Sequence, residues 1–538
     1  MANRDTVTSN TAHWGAYNAI VRDGRMVGVE PFAGDNNPSP LLATIPSAVH
    51  HETRISRPMV RAGYLERGIA SDGAGRGAED FVAVPWDHAL DLVAAELARV
   101  KAEHGNQSIV ASSGWASPGA FHGARRQLTR FLNGFGGFVD EVTNYSFGAA
   151  SVIVPHVVGN LEPVIGPHSS WPTIARHTEL MVLFGGMAPK NGQVNHGGVA
   201  RHQAPDLVEQ AARAGVEFVS ISPLRDDTPE SMAAEWLAIR PNTDAAMMLA
   251  LAHTLLDDGL HDAAFLASHC TGFDRFAAYL LGEVDGRAKD AGWAAPITGI
   301  DAETIRALAR RMARSRTLIT ASWSVQRSDH GEQPYWAAIA LAAMLGQIGL
   351  PGGGFGFGYG AMHGIGVPRR RFQIPRLPVG ENPVADFIPV ARVTDMLLDP
   401  GGAFDFNGKR LKYPDARLFY WSGGNPFHKQ QDINRLLRGW QRPETIIVHE
   451  PWWTPAARRA DIVLPATTTV ERNDIGASPY DSSFVAMKQA IEPVGEAMSD
   501  HDIFARLAER LGFAERFTEG RDEMDWLRHI YEDRKSVV

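Results

Sequence analysis

The stretch Leu418-Phe419-Tyr420-Trp421-Ser422-Gly423-Gly424-Asn425 joins four bulky apolar residues to a turn of small ones. A short apolar run that ends in glycines describes a strand covered on both faces. The same signature returns in Ile109-Val110-Ala111-Ser112-Ser113, Leu180-Met181-Val182-Leu183-Phe184, Val216-Glu217-Phe218-Val219-Ser220-Ile221, Thr317-Leu318-Ile319-Thr320, Ile446-Ile447-Val448 and Ile462-Val463-Leu464. Amphipathic stretches at 86–104, 205–214, 243–257, 302–314 and 431–440 lie between several of these runs. Strands spaced by helices build βαβ units, so the predicted fold class is α/β, with several βαβ-type domains and mostly parallel sheets. Residues 1–55 read differently. Ala16–Val21 and Met26–Val29 flank the turn Arg22-Asp23-Gly24-Arg25, a hairpin pattern that marks a small N-terminal β module. The predicted division is 1–55 for that module, 56–160 with 415–530 as one discontinuous α/β domain, and 161–414 as another.

Open parallel sheets bind ligands outside the carboxyl ends of their strands. Those positions hold Ser112-Ser113-Gly114-Trp115, Gly185-Gly186, Ser222-Pro223, Ser322-Trp323, Ser422-Gly423-Gly424-Asn425, Glu450-Pro451-Trp452 and Ala466-Thr467-Thr468. Glycine, serine and asparagine serve strand-to-helix turns in any protein. So many of them, several beside a tryptophan, suit a long ligand that carries phosphates.

The net charge of -9 argues against a general nucleic-acid binder, which needs a basic surface to neutralise phosphates. No run is long enough to span a bilayer, and the polar N-terminus shows no secretory or twin-arginine pattern, so a cytoplasmic location is the default expectation. One cysteine, Cys270, excludes a cysteine-held iron–sulfur cluster, a zinc ribbon or a disulfide framework in this chain. Redox work would require a bound cofactor with an oxygen or nitrogen ligand from the protein. Ser146, in Asn144-Tyr145-Ser146-Phe147-Gly148, is the candidate; its alternative is a small residue where a loop meets a helix. No phosphate-loop motif and no dinucleotide glycine fingerprint is present, which disfavours a nicotinamide-dependent dehydrogenase. His156, His196 and His449 show no metal-ligand spacing.

Four blocks carry a specific resemblance. They are Asn144–Ala150 with Pro155-His156-Val157-Val158-Gly159; Trp323-Ser324-Val325-Gln326-Arg327 with Gly331-Glu332-Gln333; Met344 through Gly356; and Trp421–Pro426 with Ala460–Pro465 and Glu471–Asp474. In this order they resemble the S- and N-oxide reductases of the molybdopterin oxidoreductase superfamily, over nearly the whole chain. The resemblance implies molybdenum bound by two molybdopterin guanine dinucleotides, no iron–sulfur cluster, and a serine oxygen as protein ligand, here Ser146. It implies two-electron oxygen-atom transfer from an S-oxide or N-oxide, with electrons from an external donor protein.

The resemblance also assigns roles. Trp115 matches the tryptophan whose indole N–H, a donor-only group, points at the oxygen being transferred. Arg327 and backbone amides near Asn191 and Ser222-Pro223 are expected to meet pyrophosphate. Asp244, after Thr243, offers a carboxylate to the paired N–H donors of guanine, or else caps its helix; Asp461 is a second choice for guanine. Gly424 and Asn425 line the second dinucleotide, and Ser113, Trp323 and Glu450 complete the expected cofactor contacts. This chain departs from the pattern at Ser113, where sulfoxide-reducing relatives have tyrosine before Gly-Trp, which speaks against dimethyl sulfoxide as the preferred substrate. It departs again at His428-Lys429, where relatives tend to have histidine second. Family members also continue into a C-terminal β-barrel-like domain. The expectation from length is therefore a truncated product or half of a split protein, with a complementary C-terminal chain as a possible partner and a cofactor-poor fragment as the alternative.

Overall fold

Each apolar run singled out in the sequence is a strand, and each lies in one of two parallel-rich sheets. The computed structural model describes residues 5–533 except 116–117, 167–168, 369–373 and 375, so the Arg369-Arg370-Arg371 cluster lies outside the described residues. The chain forms two compact units. One comprises Met1–Asn144, His196–Arg201 and Arg371–Val538; the other comprises Tyr145–Asn195 and His202–Arg370.

The first unit holds an eight-stranded sheet. Its spatial order is Phe387–Pro389, Val139–Val142, Ile109–Ser112, Leu418–Ser422, Thr445–Glu450, Ile462–Pro465, Met59–Arg61 and Phe81–Ala83. The first six strands pair in parallel and the last two join antiparallel. Alternation along Leu418–Ser422 explains why the run is apolar throughout. Leu418 and Tyr420 pack under the helices Trp86–His104, Ala124–Phe135 and Asp500–Arg510, while Phe419 and Trp421 face the helices Val393–Leu398 and Ile433–Gly439. The N-terminal hairpin is present as Gly15–Arg22 and Arg25–Pro31, joined by Thr6–Ala12 in a separate antiparallel sheet.

The second unit has five parallel strands in the order Glu235–Leu237, Glu217–Ile221, Leu180–Phe184, Thr317–Ala321 and Gly354–Phe357. Helices Asp244–Asp257, Ala302–Arg314 and Gln333–Met344 pack into its core through Met247, Leu251, Ile305, Met312, Tyr335 and Leu341. The apolar pattern from 333 to 349 predicts a longer last helix. It stops at Met344 because Gly346 adopts φ 64°, the left-handed turn that closes helices.

One buried carboxylate ties distant segments of the first unit together. Asp461, fully buried, accepts from Arg61 Nε at 2.9 Å, from Arg76 Nη2 at 2.6 Å and from the Ile446 amide at 2.8 Å. Arg61 is also fully buried and Arg76 nearly so. Removing the acid would take the carboxylate partner from Arg76 and leave Arg61 with Glu79 alone, both guanidinium groups being buried away from water. Asp461→Ala is expected to cost about 3–5 kcal/mol, read as a lower urea midpoint at unchanged slope.

Candidate functional site

In the first unit, strand order reverses between Ile109–Ser112 and Leu418–Ser422. From Ile109–Ser112 the chain proceeds to a neighbour on one side, Val139–Val142. From Leu418–Ser422 it proceeds to Thr445–Glu450 on the other. Connections that diverge in this way leave a crevice beyond the two carboxyl ends. Ser113-Gly114-Trp115 and Gly423-Gly424-Asn425 form its walls, and they touch. The Gly114 amide donates to the Gly423 carbonyl at 2.9 Å. A Cβ on Gly114 would stand 3.1 Å from the Gly424 Cα, and Gly424 itself has φ +83°. Side chains are excluded here so that backbone can meet backbone, or a ligand.

The polar groups at this crevice are unevenly satisfied. Asn425 accepts from the Phe427 amide through Oδ1 at 3.2 Å, but its Nδ2 is buried with no hydrogen-bond partner among the described residues. Ser113 donates to the Gly114 carbonyl at 3.3 Å. Trp115 is half exposed, with its ring 5.2 Å from those of both His13 and His196. Glu450 ends the adjacent strand; burial, reinforced by the charge of Asp500, pushes its carboxyl up to about 8. His449 is held by Asp500 and Tyr420, both at 2.8 Å, as an interior hydrogen-bonding residue.

In the second unit the reversal falls between Leu180–Phe184 and Thr317–Ala321, with Glu217–Ile221 beyond the former and Gly354–Phe357 beyond the latter. Its crevice is walled by Gly185-Gly186 and Ser322-Trp323. The Ser322 amide donates to Phe184 at 2.8 Å. Trp323 has a buried indole N–H with no acceptor among the described residues, against which a side chain on Gly358 would collide.

Ser146 lies in a tight turn just before the helix Gly148–Val158. Gln326 clamps that turn from both sides. Its Nε2 donates to the Tyr145 carbonyl at 3.0 Å, and its Oε1 accepts from the Ala149 amide at 2.7 Å. Arg327 Nε donates to the same Tyr145 carbonyl at 3.0 Å, and Phe147 packs on Trp323 with centroids 4.9 Å apart. Ser146, Trp323 and Arg327 are therefore brought together. Gln326 was quoted in the sequence without a role; only the fold shows what its two-ended amide does.

The remaining expected contacts of this unit are dispersed around the strand ends. Ser222, buried at the end of Glu217–Ile221, donates to Asp227 and accepts from the Leu224 amide; Pro223 follows it. The Ser222 and Asn191 amides themselves donate to the carbonyls of Leu237 and Ala188. Thr243 occupies the cap position of Asp244–Asp257 without a side-chain capping bond, and its hydroxyl donates to Arg240 at 2.7 Å. Asp244 is thus the first helical residue rather than the cap. It is buried, and desolvation lifts its carboxyl to about 6. Asp461 is not part of either crevice: it precedes Ile462–Pro465 at the amino edge of the sheet and holds Arg61 and Arg76.

The family profile described as "Molybdopterin oxidoreductase" matches residues 54–510, and that of the molybdopterin oxidoreductase N-terminal domain matches residues 10–50. The chain belongs to the molybdopterin oxidoreductase family. It is 50% identical over 511 residues to the biotin sulfoxide reductase of Cereibacter sphaeroides, covering 95% of this chain and 69% of that protein. It is 46% identical to the dimethyl sulfoxide/trimethylamine N-oxide reductase of Rhodobacter capsulatus, over 98% of this chain and 65% of the relative. Against trimethylamine-N-oxide reductase 1 of Escherichia coli K12 the identity is 44%, over 97% and 64%. The chain thus spans about two thirds of the length of these curated relatives. The fold is also similar to that of acetylene hydratase from Pelobacter acetylenicus, with a TM-score of 0.66 and 19% identity over 97% of this chain and 71% of that one. Among the described residues no helix is long and apolar enough to cross a membrane.

The raised carboxyls of Glu450 and Asp244 set a pH signature. The folded state keeps both protons to about 8 and about 6, whereas the unfolded chain loses them near 4.5 and 3.8. Between those limits the folded state binds more protons, so stability is greatest on the acid side and declines as pH rises through about 8. Thermal melts of cofactor-free protein should show the midpoint falling from about pH 5 to about pH 8, and Glu450→Gln should flatten the upper half of that decline.

Proposed function

We propose that this protein is a molybdenum oxotransferase that reduces an S-oxide or N-oxide, carrying two molybdopterin guanine dinucleotides, one in each crevice. The observation that supports this most directly is that each unit has its own strand-order reversal, walled by small residues and ending in a buried N–H donor without an acceptor: Asn425 Nδ2 in one and Trp323 Nε1 in the other. An unpaired buried donor costs about 1–3 kcal/mol, and a bound pterin or phosphate would supply the missing acceptor. The residues present therefore fit the group that family membership implies.

When bound, the molybdenum centre supplies the two-electron oxygen-atom chemistry, in which oxide, two electrons and two protons give the sulfide or amine and water. The chain's residues do the rest. Ser146 offers its hydroxyl oxygen as metal ligand, and Gln326 fixes the turn that presents it. Trp115 donates its indole N–H to the substrate oxygen. Arg327 has its terminal nitrogens available for a phosphate, and Asp244 offers a buried carboxylate to guanine. Burial holds the Glu450 carboxyl up at about 8 within the first unit. Electrons are expected from a separate carrier protein, since one cysteine cannot hold a cluster in this chain.

The test is protein made in molybdenum-replete cells, assayed for metal content and for oxidation of reduced viologen by biotin sulfoxide, methionine sulfoxide, dimethyl sulfoxide and trimethylamine N-oxide. Near-stoichiometric molybdenum and turnover of at least one oxide are expected. Ser146→Ala should lower turnover about 100-fold or more and alter the metal's electronic spectrum, while Gln326→Ala should cost about tenfold. Metal-loaded protein inert to every oxide would refute the activity, and an unchanged spectrum in Ser146→Ala would refute the ligand.

A further inference from the structure

Within the first unit, a recess of about 210 Å³ opens beside Trp115. His13, His196, Arg125, Arg126 and Arg376 supply its polar lining, and none of the described residues that line it is acidic. Arg125 is already neutralised by Asp140 at 2.9 Å. The Gly197 amide donates to His13 Nδ1 at 3.2 Å, which leaves the proton on Nε2 to be donated to the Trp115 carbonyl at 3.0 Å. Burial, with His13 and Arg376 alongside, pushes His196 down to about 4.

Two cations remain. Among the described residues neither Arg126 nor Arg376 meets a carboxylate. Arg126, half-buried, spends one N–H on the Leu377 carbonyl at 2.6 Å, and Arg376, exposed, makes no hydrogen bond among the described residues. Burial disfavours the charge of Arg126, and Arg376, exposed beside it, adds like-charge repulsion. The recess also includes the first turn of the helix Ala124–Phe135, which Gly123 begins without a side-chain cap. Uncompensated positive charge beside a helix N-terminus is an arrangement that an anion completes.

We propose that this recess is the substrate's anion subsite: Arg126 and Arg376 grip the carboxylate of an S-oxide such as biotin sulfoxide while its S–O group reaches Trp115. The inference rests on the oxide-reductase reading and narrows it to carboxylate-bearing sulfoxides. Neutral dimethyl sulfoxide and trimethylamine N-oxide carry nothing for these arginines to hold. The two residues set specificity through binding, so they act on KM and leave kcat largely unchanged.

The test compares biotin sulfoxide, its methyl ester and dimethyl sulfoxide on the metal-loaded full chain, as wild type, Arg126→Gln, Arg376→Gln and Arg376→Lys. The acid should have a KM about tenfold below that of the ester. Arg376→Gln should erase the difference by raising only the acid's KM, and Arg376→Lys should restore most of it. Arg126→Gln also loses the Leu377 bond, so Arg376→Gln is decisive. Equal KM values for acid and ester in the wild type, or an Arg376→Gln effect shared by the ester, would overturn the subsite. Equilibrium binding of biotin sulfone, which is not the oxide substrate, against its methyl ester reads the subsite separately from turnover. If no oxide is reduced but the sulfone acid binds more tightly than its ester and loses that preference in Arg376→Gln, the subsite stands and the activity falls. No preference for the acid sinks the subsite whatever the activity shows.

Discussion

A parallel sheet whose strand order reverses cannot close over its own midpoint. Each crossover helix covers the strands between which it runs, and where consecutive connections diverge, the two loops at the reversal are left facing each other with no helix above them. Both units of this chain are built this way, and the reversal decides which residues can be functional. The Gly114–Gly424 approach follows from that constraint, and Asn425 Nδ2 and Trp323 Nε1, buried donors without a partner among the described residues, fall on the loops at the two reversals. In a well-packed interior an unpaired buried N–H is a defect. At a reversal it reads as half of a hydrogen bond whose other half arrives with a ligand.

Fixing a weak ligand demands more of the protein than supplying it. A serine hydroxyl on a free loop would sample many positions, and ordering one residue's backbone costs about 1–2 kcal/mol. The turn at Ser146 is ordered in advance: one glutamine amide binds the carbonyl before the serine and the amide after Phe147 and Gly148, and Phe147 is packed on Trp323. The same block that forms a wall of the second crevice thereby positions the candidate metal ligand. Coupling the two functions in Trp323–Arg327 makes cofactor seat and ligand geometry one structural unit.

Legibility followed sequence locality. Strands such as Leu418–Ser422 and Thr317–Ala321 were readable because burial on both faces leaves an unbroken apolar run. Their order was not, since apolar runs look alike whichever neighbour they choose, and the reversal is a property of order. Helix ends were readable only as far as capping chemistry is local; Gly346 overrode an apolar pattern that continues to 349. Asp461 shows the limit most clearly. Its sequence context, Ala460-Asp461-Ile462, gives no hint of Arg61 and Arg76, which come from nearly 400 residues away, with separations of 400 and 385. A carboxylate that resembles a ligand group in sequence proves to be an internal counter-ion.

The two arginines near Trp115 pose the opposite case. Asp461 and Glu79 show that this fold can give buried guanidinium groups their counter-ions when stability is what they serve, with bonds of 2.6 to 2.9 Å. Arg126 and Arg376 receive no such treatment, although Arg125, the residue next to Arg126, has Asp140. An exposed cation would need none, because water screens it. Arg376 is exposed, but Arg126 is half-buried with that second guanidinium beside it, so the electrostatic cost in the free protein falls on Arg126, and an anionic substrate relieves it on binding. Internal and substrate-facing cations are therefore distinguishable by a physical criterion: the first have their counter-ion in the chain, and the second await theirs.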